Sequence, residues 1–158
     1  MKKFHLLIVV LSLFLSGCAA PVQQAATNQQ TPSIQNKLDL SNQNLTKVPE
    51  NIFNQTNLEE LNLSNNQLTG AIQSQIGQLK NLKVLNASNN QMTGVPAEVG
   101  QLTNLQTLDL SNNQLTGLPN EIGNLKNLKT LNISGNNYST LDLNTIIERL
   151  PTNVKIIK

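Results

Sequence analysis

Four stretches of nine residues decide the fold of this chain: residues 58–66 (LEELNLSNN), 82–90 (LKVLNASNN), 105–113 (LQTLDLSNN) and 128–136 (LKTLNISGN). Their first residues are separated by 24, 23 and 23 residues. A period of about 20 to 50 residues is typical of a solenoid, in which each copy forms one coil and stacks on its neighbours. Residues 37–42 (KLDLSN) share the same core and extend the repeats to residues 37–141.

Alternation within each copy predicts a short strand whose leucines point into the coil. Successive side chains of a strand face opposite sides, so Leu108 and Leu110 face inward together. The return path of the same coil carries a second apolar set, which includes Ile122 and Leu125. One coil cannot bury both faces alone, but stacked coils can, and each buried aliphatic side chain contributes about 1.5–3 kcal/mol.

The repeats resemble those of leucine-rich repeat proteins. One column of asparagines follows the strands and resembles the asparagine ladder of that family: Asn66, Asn90, Asn113 and Asn136, with Gln43 in the first copy. There a side-chain amide can satisfy backbone groups from inside the coil. The alternative is a polar binding row. The resemblance implies an α/β solenoid: a leucine-rich repeat arc with short parallel strands on its concave face and an irregular or 3-10 convex side.

The longest copy differs from the two that follow it. Residues 68–79 (LTGAIQSQIGQL) resemble plant-type repeats, although Gln73 occupies the position of their proline. The next two copies contain Pro96 and Pro119 and resemble typical bacterial repeats.

The two ends of the repeat region carry different signals. In residues 142–158 the period breaks, and apolar residues recur at the spacing of an amphipathic helix: Leu143, Ile146, Ile147 and Leu150. Asp142 is the predicted N-cap, Pro151 ends the helix, and residues 154–157 predict a last strand, so this segment is interpreted as a C-terminal capping helix and strand. A helix that binds a partner is the alternative. At the other end Leu38 and Leu40 have no comparable lid, and we expect an exposed edge.

The first 18 residues resemble the export signal of a bacterial lipoprotein. Lys2 and Lys3 precede an apolar stretch at residues 6–15, and residues 15–18 (LSGC) resemble a lipobox. The resemblance implies a signal peptide at residues 1–17, lipidation of Cys18 and anchoring to a membrane of the bacterial cell envelope, at the outer membrane or cell surface and not in the cytoplasm. A chance cysteine beside an ordinary cleavage site is the alternative.

A polar segment separates this signal from the repeats. Residues 19–36 carry no charge and contain Pro21 and Pro32, a composition too polar to form a core, so residues 18–36 are predicted to be a disordered tether. Removal of the signal takes away Lys2 and Lys3 and leaves nine basic against nine acidic residues. This balance argues against nucleic acid as a partner.

The chain offers little material for catalysis. Its one histidine, His5, lies in the predicted signal, and its one cysteine is Cys18. Glu60 and Asp109 fall on one face, but two strands apart, about 10 Å, which is at or beyond the upper end for an inverting glycosidase. We therefore expect no enzymatic activity, no cofactor, no metal and no small-molecule substrate.

Two columns are predicted to form the concave surface. The variable column is the candidate binding row, and the polar column beside it completes the candidate site: Glu60, Val84, Thr107 and Thr130, then Asn62, Asn86, Asp109 and Asn132. The expected partner is a protein or a glycan. A surface adhesin-like or glycan-binding module and an envelope spacer without a specific ligand are the alternatives. A rim formed by Lys80, Lys83, Lys126 and Lys129 could instead attract an anionic ligand.

Overall fold

The computed structural model describes residues 36–158, with the side chains of Leu141 and Asp142 excepted. The predicted signal peptide, Cys18 and the tether up to residue 35 lie outside the described residues. The strands and the helix are, in chain order, β1 (Lys37–Asp39), β2 (Glu60–Asn62), β3 (Thr69–Gly70), β4 (Val84–Asn86), β5 (Gln91–Met92), β6 (Thr107–Asp109), β7 (Thr130–Asn132), α1 (Thr140–Ile147) and β8 (Lys155–Ile157).

Six of the strands form one parallel sheet in the order β1-β2-β4-β6-β7-β8. The register aligns one inward residue from each coil: Leu38, Leu61, Leu85, Leu108, Leu131 and Ile156. The four central members are at most 1% exposed, and the two end members are half-buried. The predicted α/β solenoid with parallel strands on its concave face is therefore confirmed. A second, two-stranded parallel sheet pairs β3 with β5, which was not predicted from the sequence.

The turn after each strand requires a left-handed backbone. Five aligned residues have φ between 52° and 67°: Asn42, Asn65, Asn89, Asn112 and Gly135. Asparagine and glycine tolerate this region better than other residues, since most side chains clash there with the backbone. This explains why every copy has asparagine or glycine directly after its serine at this point.

The convex side consists of four 3-10 helices: Glu50–Asn54, Ser74–Gln78, Ala97–Gln101 and Asn120–Asn124. Pro49, Pro96 and Pro119 precede three of them, because the fixed φ of proline suits the turn into the helix. Gln73 takes this place in the plant-type copy, and its Nε2 group donates to the Val48 carbonyl of the preceding coil at 2.6 Å.

A glycine column allows neighbouring 3-10 helices to pack closely. It contains Gly77, Gly100 and Gly123. A Cβ atom added to Gly100 would lie 2.7 Å from the Cβ of Glu121 in the next coil. In the first coil the aligned residue is Phe53, which is 1% exposed. A depression of about 330 Å³ separates the first two 3-10 helices beside it, so the first coil packs less closely on its neighbour.

The C-terminal segment caps the solenoid, with one correction. Helix α1 begins at Thr140, two residues before the predicted start, so Asp142 is its third residue and not the N-cap. Ser139 precedes the helix, and its carbonyl accepts the Leu143 N–H at 3.3 Å. The apolar face is buried as predicted, with Leu143 and Ile146 at most 1% exposed. Strand β8 then adds the predicted last strand to the sheet.

Candidate functional site

The sheet register places the candidate binding residues in two straight rows on the concave face. Glu60, Val84, Thr107 and Thr130 are aligned, and so are Asn62, Asn86, Asp109 and Asn132. All eight residues are half-buried. Because neighbouring strands lie about 4.8 Å apart, each row presents its side chains at that interval. The structure thus brings all the predicted concave residues onto one surface.

The polar row also has a role inside the fold. The Oδ1 atom of Asn86 accepts the Ser88 N–H at 3.0 Å and the Ser88 hydroxyl at 2.8 Å. Asp109 makes the same pair of bonds with Ser111, at 2.9 and 2.6 Å. These Asx-type turns bend the chain as it leaves the strand. The oxygens of this row are therefore engaged by their own coil, which leaves fewer groups for a ligand than the sequence alone suggests.

Contacts between coils engage part of the same row. The Asn62 amide donates to Asp39 Oδ1 at 3.0 Å, and the Asn132 amide donates to Asp109 Oδ2 at 3.1 Å. Within residues 36–158, the Nδ2 group of Asn86 makes no such bond. The uncommitted amide group of Asn86 therefore lies near the centre of the concave face, beside the variable positions Val84 and Thr107.

The N-terminal half of the concave face carries most of its charge. Lys37 and Glu60 form an ion pair at 2.7 Å, and Lys83 and Glu59 form another at 2.8 Å on the flank. An open depression of about 940 Å³ lies here, and it is lined by Asn36, Lys37, Leu38, Asp39, Glu59, Glu60, Leu61, Asn62, Val84 and Asn86. Four of the eight predicted binding residues therefore border one depression.

Two carboxylates near this depression favour their ionised form. The backbone N–H of Ser41 donates to Asp39 and lowers the pKa of that carboxyl, with further help from the Ser41 hydroxyl. The hydrogen bond from Lys83 lowers the pKa of Glu59. Both groups are therefore charged at neutral pH.

The four lysines of the predicted rim all contact neighbouring groups. Lys83 is neutralised by Glu59. Lys80 Nζ donates to Gln101 Oε1 at 2.9 Å, and Lys129 Nζ donates to Gln106 Oε1 at 2.9 Å. Lys126 Nζ donates to the Arg149 carbonyl at 2.5 Å. The rim is therefore a set of contacts between coils in which Lys83 is paired with a carboxylate, while the other three lysines contact uncharged oxygens.

The inner asparagine column bonds the backbone from inside the coil. The Asn113 amide nitrogen donates to the carbonyls of Ala87 and Leu110, both at 3.0 Å, and its oxygen accepts the Met92 N–H at 3.0 Å. Asn66, Asn90 and Asn136 repeat this pattern in their own coils. Each asparagine therefore joins its own coil to the preceding one.

A second column of asparagines was not predicted from the sequence. It lies just before the strands, where Asn81, Asn104 and Asn127 each donate to a backbone carbonyl of the preceding coil at 2.8–2.9 Å. Their recurrence one residue before Leu82, Leu105 and Leu128 is visible in the sequence and could have indicated this role.

Within residues 36–158, no group of three or more His, Cys, Asp or Glu side chains is placed to hold a metal ion. No helix in that range is long and apolar enough to cross a membrane.

Comparison with known proteins identifies the class to which this fold belongs. Residues 61–152, more than half of the chain, match the model of a leucine-rich repeat region. The chain therefore belongs to the leucine-rich repeat family, whose modules are typically non-enzymatic and bind proteins. A search of curated proteins gave no match.

Solved structures of leucine-rich repeat proteins are similar to this chain. A leucine-rich repeat protein of Leptospira interrogans has 41% identity over 72% of this chain and a TM-score of 0.67, and this chain spans 28% of its length. The ectodomain of the receptor kinase SOBIR1 from Arabidopsis thaliana has 32% identity over 77% of this chain, which covers 67% of that structure, with a TM-score of 0.61. The plant peptide hormone receptor RGFR1, solved in complex with RGF2, has 38% identity over 76% of this chain, 20% coverage of its own length and a TM-score of 0.63.

Proposed function

We propose that this protein is a membrane-anchored protein-interaction module of the bacterial envelope that binds a protein partner through its concave face. The observation that carries the proposal is the row Glu60, Val84, Thr107 and Thr130, in which four aligned positions on a uniform sheet carry three different kinds of side chain. A specific partner needs such differences, because identical stacked coils cannot set its register. The complex of RGFR1 with RGF2 supports a peptide or protein as the kind of partner.

The centre of the concave face is where substitution should act most strongly. Val84 and Thr107 are adjacent in the register and half-buried, and the uncommitted amide of Asn86 lies beside them. Val84→Arg together with Thr107→Glu introduces two bulky charged groups there. We expect this double variant to lose the partner while it keeps the thermal midpoint of the parent, since neither side chain belongs to the buried core.

Affinity capture tests this expectation. A tagged chain without residues 1–17 is used as bait in an envelope extract, and the captured proteins are compared between the parent and the double variant. Gln91→Arg with Gln114→Glu is the matched control, because it adds the same charges at exposed positions of another column. Equal loss in both double variants, or equal capture by the concave variant and the parent, would reject the concave face. If changing the four rim lysines to Gln removes the captured partner, and high salt has the same effect on the parent, the result would instead favour an anionic ligand.

The membrane anchor rests on residues 15–18 and has its own test. Cys18→Ser should abolish incorporation of labelled fatty acid and leave the precursor unprocessed or mislocalised, because the thiol that receives the lipid is gone. Labelling that persists in this variant would remove the anchor from the proposal. The concave-face experiment is independent of this result.

A further inference from the structure

In the part of the chain that the structure describes, the first strand of the sheet has a free edge. Within residues 36–158, β1 pairs only with β2. The carbonyl of Asn36 accepts the Glu60 N–H at 2.9 Å, and the Leu40 N–H donates to the Asn62 carbonyl at 2.8 Å. Since alternate residues of a strand direct their N–H and C=O groups to opposite edges, those of Lys37 and Asp39 project from the free edge. Such an edge is a template for another strand.

The same end leaves part of its core uncovered. Leu38 and Leu40 are half-buried, whereas the aligned residues of the next coil, Leu61 and Leu63, are at most 1% exposed. The difference arises because each inner coil is covered from both sides. A strand that pairs with β1 would therefore bury more of Leu38 and Leu40 and would also form backbone hydrogen bonds.

We propose that β1 pairs in antiparallel fashion with β1 of a second copy of this chain, about a two-fold axis at Leu38. The hydrogen-bonding groups of the free edge fix this register. Lys37 exchanges both backbone bonds with Asp39 of the second copy, and Asp39 does so with its Lys37, which sets the two Leu38 residues opposite each other as a non-hydrogen-bonded pair. The contact is self-complementary and closed, as a two-fold interface must be.

Charge supports the second copy as the occupant. In this register Lys37 faces Asp39 across the interface twice, and opposite charges at facing positions stabilise paired strands. The Lys37 side chain is 70% exposed, so its ammonium group can reach Asp39 of the second copy as well as its own Glu60. Asp39 is ionised at neutral pH because its pKa is lowered.

The head-to-tail alternative lacks this complementarity. If β8 of the second copy extended the sheet in parallel, Lys155 would join the column that contains Lys37, and Ile157 would join that of Asp39. Like charges would then face each other, and the stacking would propagate without closing. One three-residue strand per copy also gives a small contact, so we expect a weak dimer whose population rises with protein concentration.

Cysteine cross-linking tests the register. In a non-hydrogen-bonded antiparallel pair the two Cα atoms lie about 4.5 Å apart, within the approximate range of disulfides. Leu38→Cys in the full chain in detergent should therefore give a disulfide-linked dimer on mild oxidation. The parent chain reports any background from Cys18, and Ile156→Cys is the matched control in the same inward row at the other end. The proposal is overturned if Leu38→Cys forms no more disulfide-linked dimer than the two controls. It is also overturned if Leu38→Cys, mixed with Ile156→Cys, cross-links preferentially to that variant.

Charge exchange tests the same contact in chains that keep Leu38. Lys37→Glu and Asp39→Lys should each sediment as monomers, because each places like charges across the interface. An equimolar mixture of the two variants should dimerise, since the introduced glutamate then faces the introduced lysine, and the unchanged Asp39 of one copy faces the unchanged Lys37 of the other. Unfolding midpoints confirm that each variant is folded before its sedimentation is compared with that of the parent. Single variants that dimerise like the parent, a mixture that stays monomeric, or a parent that is monomeric at every concentration would overturn the proposal and leave the edge to another occupant.

Discussion

At the scale of single residues, asparagine has four different structural roles in this chain, and the Asx-type turn of Asn86 is one of them. Asn113 and its column bond the backbone from inside the coil. Asn89 and its column occupy the left-handed turn. Asn104 and its column bond the preceding coil from the exposed side. The sequence motif therefore repeats because each of its polar positions satisfies a different backbone requirement.

The inner column should contribute the most to stability. Asn113→Ala would leave the buried Met92 N–H without a partner, so we expect a loss of about 1–3 kcal/mol of unfolding free energy. It would also remove one of the two donors to the carbonyls of Ala87 and Leu110, which keep their bonds from Asn90 and Asn136. Asn136→Ala should cost less, because that residue is only half-buried beside the cap. Denaturant melts measure both.

Asn104→Ala is the surface control for this series. It removes one exposed bond to the Lys80 carbonyl, which water can replace, and should cost less than either inner substitution. A loss at Asn104 or Asn136 that equals or exceeds the loss at Asn113 would contradict the order that burial predicts.

At the scale of elements, the stacking of the 3-10 helices depends on the glycine column. Gly100→Ala places a Cβ atom 2.7 Å from the Cβ and carbonyl carbon of Glu121 and closer still to its carbonyl oxygen, so the two coils must separate. We expect a loss of about 1–3 kcal/mol, as is usual for overpacking. Thermal or denaturant unfolding measures it.

Gly94 provides the control for this prediction. Its added Cβ would meet only the Cβ of Ala71 at 4.0 Å, and its φ is not positive. Gly94→Ala should therefore be neutral or stabilise by about 0.4–1 kcal/mol through the unfolded chain. Equal losses at the two glycines would show that backbone freedom, and not close packing, explains the column.

An ion pair between coils predicts a pH dependence. The hydrogen bond from Lys83 lowers the pKa of Glu59 below its ordinary value of 4.5. The unfolded chain then takes up the proton first as the pH falls, so the stabilisation is present above pH 4.5 and is lost as the pH falls through the lowered value. The difference in unfolding free energy between the parent and Lys83→Gln should therefore shrink in acid.

Lys129→Gln separates this effect from a general effect of lysine. Lys129 bonds the neutral side chain of Gln106 in the corresponding position, so its removal should change stability by an amount that does not vary between neutral pH and acid. Melts of the three proteins across that range give the comparison. A Lys83→Gln difference that stays constant would show that Glu59 gains nothing from its partner.

The sequence predicted what depends on one coil and missed what depends on the distance between coils. Leu-x-Leu alternation identified the strands, and the column that contains Asn113 identified the inner bonds. The glycine column was missed because its reason, the approach of Glu121 to Gly100, exists only in the stack. The start of α1 was misplaced because Asp142 was expected to be the N-cap, whereas the helix begins at Thr140.

The candidate site shows the same limit. Side-chain direction follows from strand alternation, so both concave rows were predictable. The sequence could not predict which side-chain amides of the polar row remain free. The amides of Asn62 and Asn132 donate to a neighbouring coil, whereas that of Asn86 does not. The register of the stack decides this, and small shifts between coils are not visible in the repeated letters.

At the scale of the whole molecule, the two ends of the solenoid are unequally protected. Leu143 and Ile146 of α1 cover the last coil, whereas no strand among residues 36–158 pairs with the outer edge of β1. Gln43 replaces the ladder asparagine there, and Phe53 stands where later coils have glycine. A solenoid unfolds from its weakest contacts between neighbours, so we expect the first coil to open before the rest.

Native-state hydrogen exchange compares equivalent amides directly. The Leu40 and Asn42 N–H groups donate to the next coil at 2.8 and 3.2 Å, and those of Leu110 and Asn112 do so at 2.8 Å in the middle of the stack. At low protein concentration the first pair should exchange faster than the second. If β1 pairs with a second copy, protection of Leu40 should rise with protein concentration while that of Leu110 stays constant, because only the first coil gains a neighbour. Equal protection of both pairs at every concentration would mean that the stack opens as one unit and that its free edge is no weaker than its centre.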